Sequence, residues 1–163
     1  MIKEAPVFDQ INGLPVHALV LHAAVIFVPL LALGAVVYAL VPRWRGKIGW
    51  AVLALAVVAP LSALIARLSG QELRDRLFAQ GVSGRGAEII NDHMGFGDLT
   101  FWFSLALGVV TIVMVLATRR PQNSLPRVAG IGLSVIMVAL AAISGYYVFK
   151  TGDSGATAVW GTY

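Results

Sequence analysis

The chain contains three histidines, and two of them lie in one apolar segment, His17-Ala-Leu-Val-Leu-His22. The third, His93, precedes another apolar run. Ionisable side chains at membrane depth are costly to bury, and they commonly mark functional sites. Imidazole is also the commonest side-chain ligand of metals, haem iron included. We therefore take His17, His22 and His93 as the candidate cofactor-binding residues.

The spacing of the histidines limits how they can share a ligand. From a rise of about 1.5 Å per residue, His17 lies about 4–5 Å and His22 about 12 Å inside the first apolar run. Five residues at about 100° each place these two rings about 140° apart around a helix. We expect His17 or His22 to pair with His93 on one haem, or His17 and His93 to hold a metal ion with a carboxylate such as Asp98. The carboxylates in reach are those of Glu72, Asp92 and Asp98.

A second interpretation gives the histidines only a structural role. A neutral imidazole is satisfied by one or two hydrogen bonds. An unpaired polar group at the depth of His22 is costly, so a bundle would have to provide a partner. Hydroxyl groups that could do so are those of Ser62, Thr100, Ser144, Tyr146 and Tyr147.

Composition predicts a membrane protein. Hydrophobic residues make up 58% of the chain and charged residues 12%, whereas about 25% are charged in soluble proteins. Apolar spans are predicted at about 14–41, 48–68, 94–118 and 128–149, each long enough to cross roughly 30 Å of hydrocarbon as a helix. We expect one all-α domain over residues 1–163, an integral membrane four-helix bundle. Cysteine is absent, which excludes disulfides and thiolate ligands from this chain.

The distribution of charge predicts the orientation. The loops after the first and third spans carry only basic charges, and short basic loops stay in the cytoplasm. Both termini are then outside a bacterial inner (cytoplasmic) membrane. The net charge of +4 therefore reflects topology, and nucleic-acid binding is not indicated. The basic loop residues are Arg43, Arg45, Lys47, Arg119, Arg120 and Arg127, and the acidic residues are Glu4, Asp9, Glu72, Asp75, Glu88, Asp92, Asp98 and Asp153.

The outer loop between the second and third spans is predicted to contain structure of its own. Residues 71–80 have the pattern of a short amphipathic helix lying at the interface. Residues 81–86 are rich in glycine and should end it, and residues 87–93 then lead into the third span. We find no sequence repeat, although two helical hairpins are a usual way to build a four-helix bundle.

Four residues inside the spans bear on packing. Pro60 removes a backbone hydrogen bond from the second span, as Pro29 does from the first. Arg67 and Asp98 are expected to form an ion pair, which would make both charges tolerable at the membrane boundary.

Several segments are similar to a bacterial family of four-helix membrane domains, domain of unknown function 2231. They are Leu14-Pro-Val-His17-Ala-Leu-Val-Leu-His22, Ser69-Gly70-Gln-Glu72-Leu-Arg, His93, and the tail from Thr151 to Trp160. The family's opening motif is His-Pro-x-x-x-His, and Ala18 replaces its proline here. Members fused to Rieske-type or cytochrome-like domains imply redox partners and favour haem as the cofactor.

We therefore expect a redox or electron-transfer membrane domain that binds haem b near the outer face. It would act as a carrier, with no stand-alone enzyme activity. The alternatives are a non-catalytic accessory or assembly subunit of a membrane complex, and a carrier of metal or small solutes. Expected partners are the lipid bilayer, an outer-face redox protein or larger membrane complex, and a second copy of the chain.

Overall fold

The computed structural model of the protein describes residues 10–11, 14–119 and 126–161. This part of the chain folds as four long helices. Two short antiparallel strands precede them, with Gln10 opposite Pro15, and a single 3-10 turn joins the first two helices. The elements are β1 (Gln10–Ile11), β2 (Leu14–Pro15), α1 (Val16–Leu40), the 3-10 turn (Pro42–Trp44), α2 (Arg45–Ala79), α3 (Arg85–Thr118) and α4 (Arg127–Trp160).

All four helices are long and apolar enough to cross a membrane. Even the shortest, α1, has 25 residues, which is about 37 Å of helix against roughly 30 Å of hydrocarbon. Their outward surfaces carry large apolar side chains, among them Leu33, Val135 and Phe149. Such exposed apolar surface fits contact with lipid, and the predicted all-helical, four-span architecture is confirmed.

Three helices extend further than the apolar runs predicted. The segment predicted as a separate interfacial helix is the last part of α2, which continues without a break to Ala79. The serine at position 69 lies within the helix, and its hydroxyl donates to the Ala66 carbonyl of the preceding turn at 3.0 Å. The chain turns only where Gly81 and Gly84 adopt positive φ angles of 96° and 60°, which glycine tolerates best. The predicted break after residue 80 is confirmed, but it is shorter than residues 81–86, because α3 begins at Arg85.

Helices α1 and α3 lie diagonally opposite each other in the four-helix bundle. Helices α1 and α2 pack as one hairpin and α3 and α4 as the other, and the hairpins join through α2 against α3 and α1 against α4. Leu31, Leu107, Met114 and Met137 are fully buried between them. Side chains of α1 and α3 that point inward can therefore meet only near the bundle axis.

Helices α2 and α3 approach each other closely at Pro60. Proline has no N–H to donate, so the Ala56 carbonyl loses its usual partner within the helix. Gly108 of α3 lies against this point: a Cβ there would be 2.5 Å from the Ala56 oxygen and 3.3 Å from Pro60 Cγ. Only a residue without a side chain allows α3 to approach α2 this closely.

We expect Gly108→Ala to destabilise the bundle by about 1–3 kcal/mol, the usual cost of overpacking. The added methyl group would collide with backbone, which cannot rotate away. Gly132→Ala is the matched control, because a Cβ at Gly132 meets nothing within 4 Å. Thermal unfolding in detergent measures both variants, and equal melting temperatures for Gly108→Ala and the parent protein would contradict this packing.

Candidate functional site

The structure brings His17 of α1 and His93 of α3 together across the bundle. Their ring centroids are 6.1 Å apart and the ring planes are nearly perpendicular, at 82°. Both side chains are half-buried. Because α1 and α3 are diagonal helices, this pair lies at the bundle axis rather than on the lipid-facing surface.

The His17 ring is fixed by the neighbouring helix α2. Its Nδ1 lies 2.9 Å from the Ala66 carbonyl oxygen and 3.3 Å from Ser69 Oγ. A carbonyl oxygen can only accept, so Nδ1 carries the proton and donates. In a neutral imidazole, Nε2 is then the atom with a free electron pair.

The His93 ring is fixed in the same way by α4. Its Nδ1 lies 3.0 Å from the Thr151 carbonyl oxygen and 3.1 Å from Ser154 Oγ. The Ser154 hydroxyl in turn donates to the Thr151 carbonyl at 3.1 Å, as Ser69 does to Ala66 in α2. His93 therefore also has Nδ1 as its donor and Nε2 as its available electron pair.

A glycine follows each serine and makes room for the ring. A Cβ at Gly70 would lie 3.2 Å from His17 Cε1, and a Cβ at Gly155 would lie 2.9 Å from His93 Cε1. Each hairpin thus supplies a histidine from its first helix and a Ser-Gly pair from its second. We call these two arrangements the half-sites. They form an internal repeat that the sequence analysis missed.

Both rings line one cavity of about 460 Å³ between the four helices. Neither Nε2 has a hydrogen-bond partner among the described residues, so each electron pair is available to a ligand. The lining is mostly apolar, and glycines occupy four of its positions. These glycines, Gly70, Gly97, Gly152 and Gly155, leave space next to the rings.

His22 lies elsewhere. Its Nδ1 bonds to the Ala18 carbonyl of its own helix at 3.0 Å, and its side chain is exposed. It does not line the cavity. The structure therefore brings together two of the three candidate histidines, as the rotation of about 140° between positions 17 and 22 requires.

Asp98 is engaged in the ion pair predicted from the sequence. Its carboxylate accepts from Arg67 Nε, and the Arg67 guanidinium lies 5.7 Å from the centroid of the Phe101 ring. Within the described ranges, no three His, Asp or Glu side chains are grouped as a metal site. The carboxylates of Glu72 and Asp92 are exposed and do not line the cavity.

Comparison with protein-family models matches residues 13–162 to the family described as "Predicted membrane protein (DUF2231)". The chain belongs to this family. The resemblance seen at the histidines and at Ser69-Gly70 is thus confirmed over nearly the whole chain. No curated protein and no solved structure matches it. Family and fold together describe a multi-pass membrane protein, and its function has to be argued from the site.

Proposed function

We propose that the protein is a bacterial inner-membrane redox protein that holds haem b between His17 and His93. The observation that carries the proposal is the pair itself: two imidazoles 6.1 Å apart, each donating through Nδ1 to a backbone carbonyl. Histidines that bind a metal almost always donate their other ring N–H in this way, because that bond fixes the tautomer and the ring orientation.

The distance between the rings fits two ligands on one metal. A metal about 2 Å from each Nε2 would place the ring centroids about 4.5–6.3 Å apart, according to the bond angle at the metal. The observed 6.1 Å lies within this range, so His17 and His93 could both hold one metal. Haem iron would need only these two side chains from the protein, since the porphyrin supplies four nitrogen ligands of its own.

The cavity supports haem in preference to a bare metal ion. Its volume of about 460 Å³ is in the range of pockets for organic ligands and cofactors, about 300–1,000 Å³. Its glycine-rich, apolar lining suits a flat apolar ring more than a hydrated cation. Haem supplies one-electron transfer when it is bound between two histidines.

The chain's own residues would orient the ligands and shield the site. The serine and the carbonyl of each half-site hold the histidine ring through Nδ1 and leave Nε2 available. The lining is mostly apolar, although Arg67 and Arg74 belong to it, and the surrounding dielectric is one way a protein sets a reduction potential. The acidic residues Asp92 and Asp98 lie at the same end of the bundle as the pair. We infer that this end faces outward, since the other end has the basic loops, and that electrons pass there to or from an outer partner.

An absorption spectrum of the protein, purified from membranes and titrated with haemin, tests the proposal. We expect one haem per chain, a Soret band, and sharpened α and β bands on reduction. A chain that takes up no haemin would favour an accessory subunit whose histidines only form hydrogen bonds. Stoichiometric metal without porphyrin in the same sample would favour a metal carrier. Either result would overturn the haem proposal.

A further inference from the structure

The opposite end of the bundle holds a second, basic cavity. It lies between α1, α2 and α3 and has a volume of about 190 Å³. Two arginines line it, Arg45 and Arg119, together with Trp50. Gly46 and Gly49 leave it open on the α2 side.

Arg45 is held in place from the side of α1. Its Nε donates to the Tyr38 carbonyl at 3.0 Å and its Nη2 to the Ala39 carbonyl at 3.1 Å. These are last-turn carbonyls of α1, which have no partner within that helix. The guanidinium also lies 5.5 Å from the Tyr38 ring centroid. The N–H groups of Arg45 Nη1 remain free to donate to a ligand, because Nη1 has no hydrogen-bond partner among the described residues.

The positive charge around this cavity is not balanced by carboxylates. Residues 41–48 and 119–127 contain no aspartate or glutamate, and neither Arg45 nor Arg119 has an acidic partner in the described part of the chain. A preorganised guanidinium with free donors binds phosphate well, because its hydrogen bonds are assisted by charge. The cavity therefore has the chemistry of an anion site.

The position of the cavity indicates which anion reaches it. It lies where the apolar spans end, and the Trp50 side chain is 75% exposed, as tryptophans at a membrane interface are. Leu53 continues the lining toward the apolar part of α2. Basic pockets between membrane helices at this depth bind phosphate-bearing lipid headgroups. We propose that this cavity binds the phosphate of an anionic phospholipid, with Arg119 and Arg45 as its ligands.

The test compares two arginines that carry the same charge, one that lines the cavity and one that does not. Both arginines are exposed, but Arg119→Gln removes a donor that lines the cavity, whereas Arg43→Gln removes the same charge from a residue outside it. We expect Arg119→Gln to weaken phosphatidylglycerol binding by about tenfold, the loss of one charged hydrogen bond, and Arg43→Gln to change it by less than about twofold. Native mass spectrometry of the full chain in detergent measures both dissociation constants.

Two further arms make the result decisive. Gly49→Leu fills the cavity without changing charge, and it should weaken lipid binding as much as Arg119→Gln does. Inorganic phosphate should compete only at concentrations far above those of the lipid, since it lacks the acyl chains. Equal losses for Arg43→Gln and Arg119→Gln would show diffuse attraction to the basic loops and overturn the site. Tight binding of inorganic phosphate alone would overturn the lipid assignment.

Discussion

His93→Ala is expected to lower haem affinity by more than about a hundredfold. Loss of residues that merely support a metal ligand already costs about 10–100-fold, and this change removes a ligand itself. His17→Ala should do the same, because the two rings occupy equivalent half-sites. Titration of the detergent-solubilised chain with haemin, followed at the Soret band, measures the affinities.

His22→Ala is the matched control for these variants. The substitution removes an imidazole from the same helix as His17→Ala does. The His22 ring, however, is exposed and is hydrogen-bonded within α1. We expect unchanged haem affinity. Circular dichroism should show that all three variants keep their helices. A large loss of affinity in His22→Ala, or none in His93→Ala, would remove the basis for the pair as ligands.

Gly155→Ala is expected to weaken haem binding by about 10–100-fold, the range for a change in the second shell of a metal site. The new Cβ would lie 2.9 Å from His93 Cε1. The ring has to move to relieve that contact, and it then loses its alignment with the Thr151 carbonyl. No ligand atom is removed, so the effect reports the position of the ring and the space that Gly155 leaves beside it. Haemin titration again provides the measurement.

Gly145→Ala is the control for this substitution. It lies on the same helix, and a Cβ there meets nothing within 4 Å. It also lies outside the lining of the cavity. We expect parental haem affinity and stability from it. If the two alanine variants bind haem equally well, Gly155 has no part in positioning His93.

The fold could be predicted because apolar length is a strong signal. Four runs of about 20 residues leave few alternatives in a chain with so little charge. The ends of the helices were harder to predict from the sequence, since residues 69–79 carry serine, glycine and charges that suggest a break. Ser69 and Gly70 remain helical although their types suggest a break, because both are buried against His17 of α1, and that packing is visible only in three dimensions.

The candidate site was predicted in part. The spacing of five residues indicated that His17 and His22 point to different sides of their helix. The predicted depths in the membrane indicated that His17 and His93 lie at a similar level. The half-sites were missed because each joins residues 52 or 61 positions apart, with only a histidine, a serine and a glycine in common. The usable signal was the Ser-Gly pair near the end of the second helix in each hairpin, at Ser69-Gly70 and Ser154-Gly155.

The central claim is that His17 and His93 bind the same iron from two hairpins. Electron paramagnetic resonance of the ferric, haemin-loaded protein tests it most directly, because two axial imidazoles produce a low-spin signal. We predict a low-spin spectrum for the parent chain and for His22→Ala, and a high-spin or absent signal for His17→Ala and His93→Ala. A high-spin parent spectrum, or a low-spin signal that survives the loss of either histidine, would contradict the account.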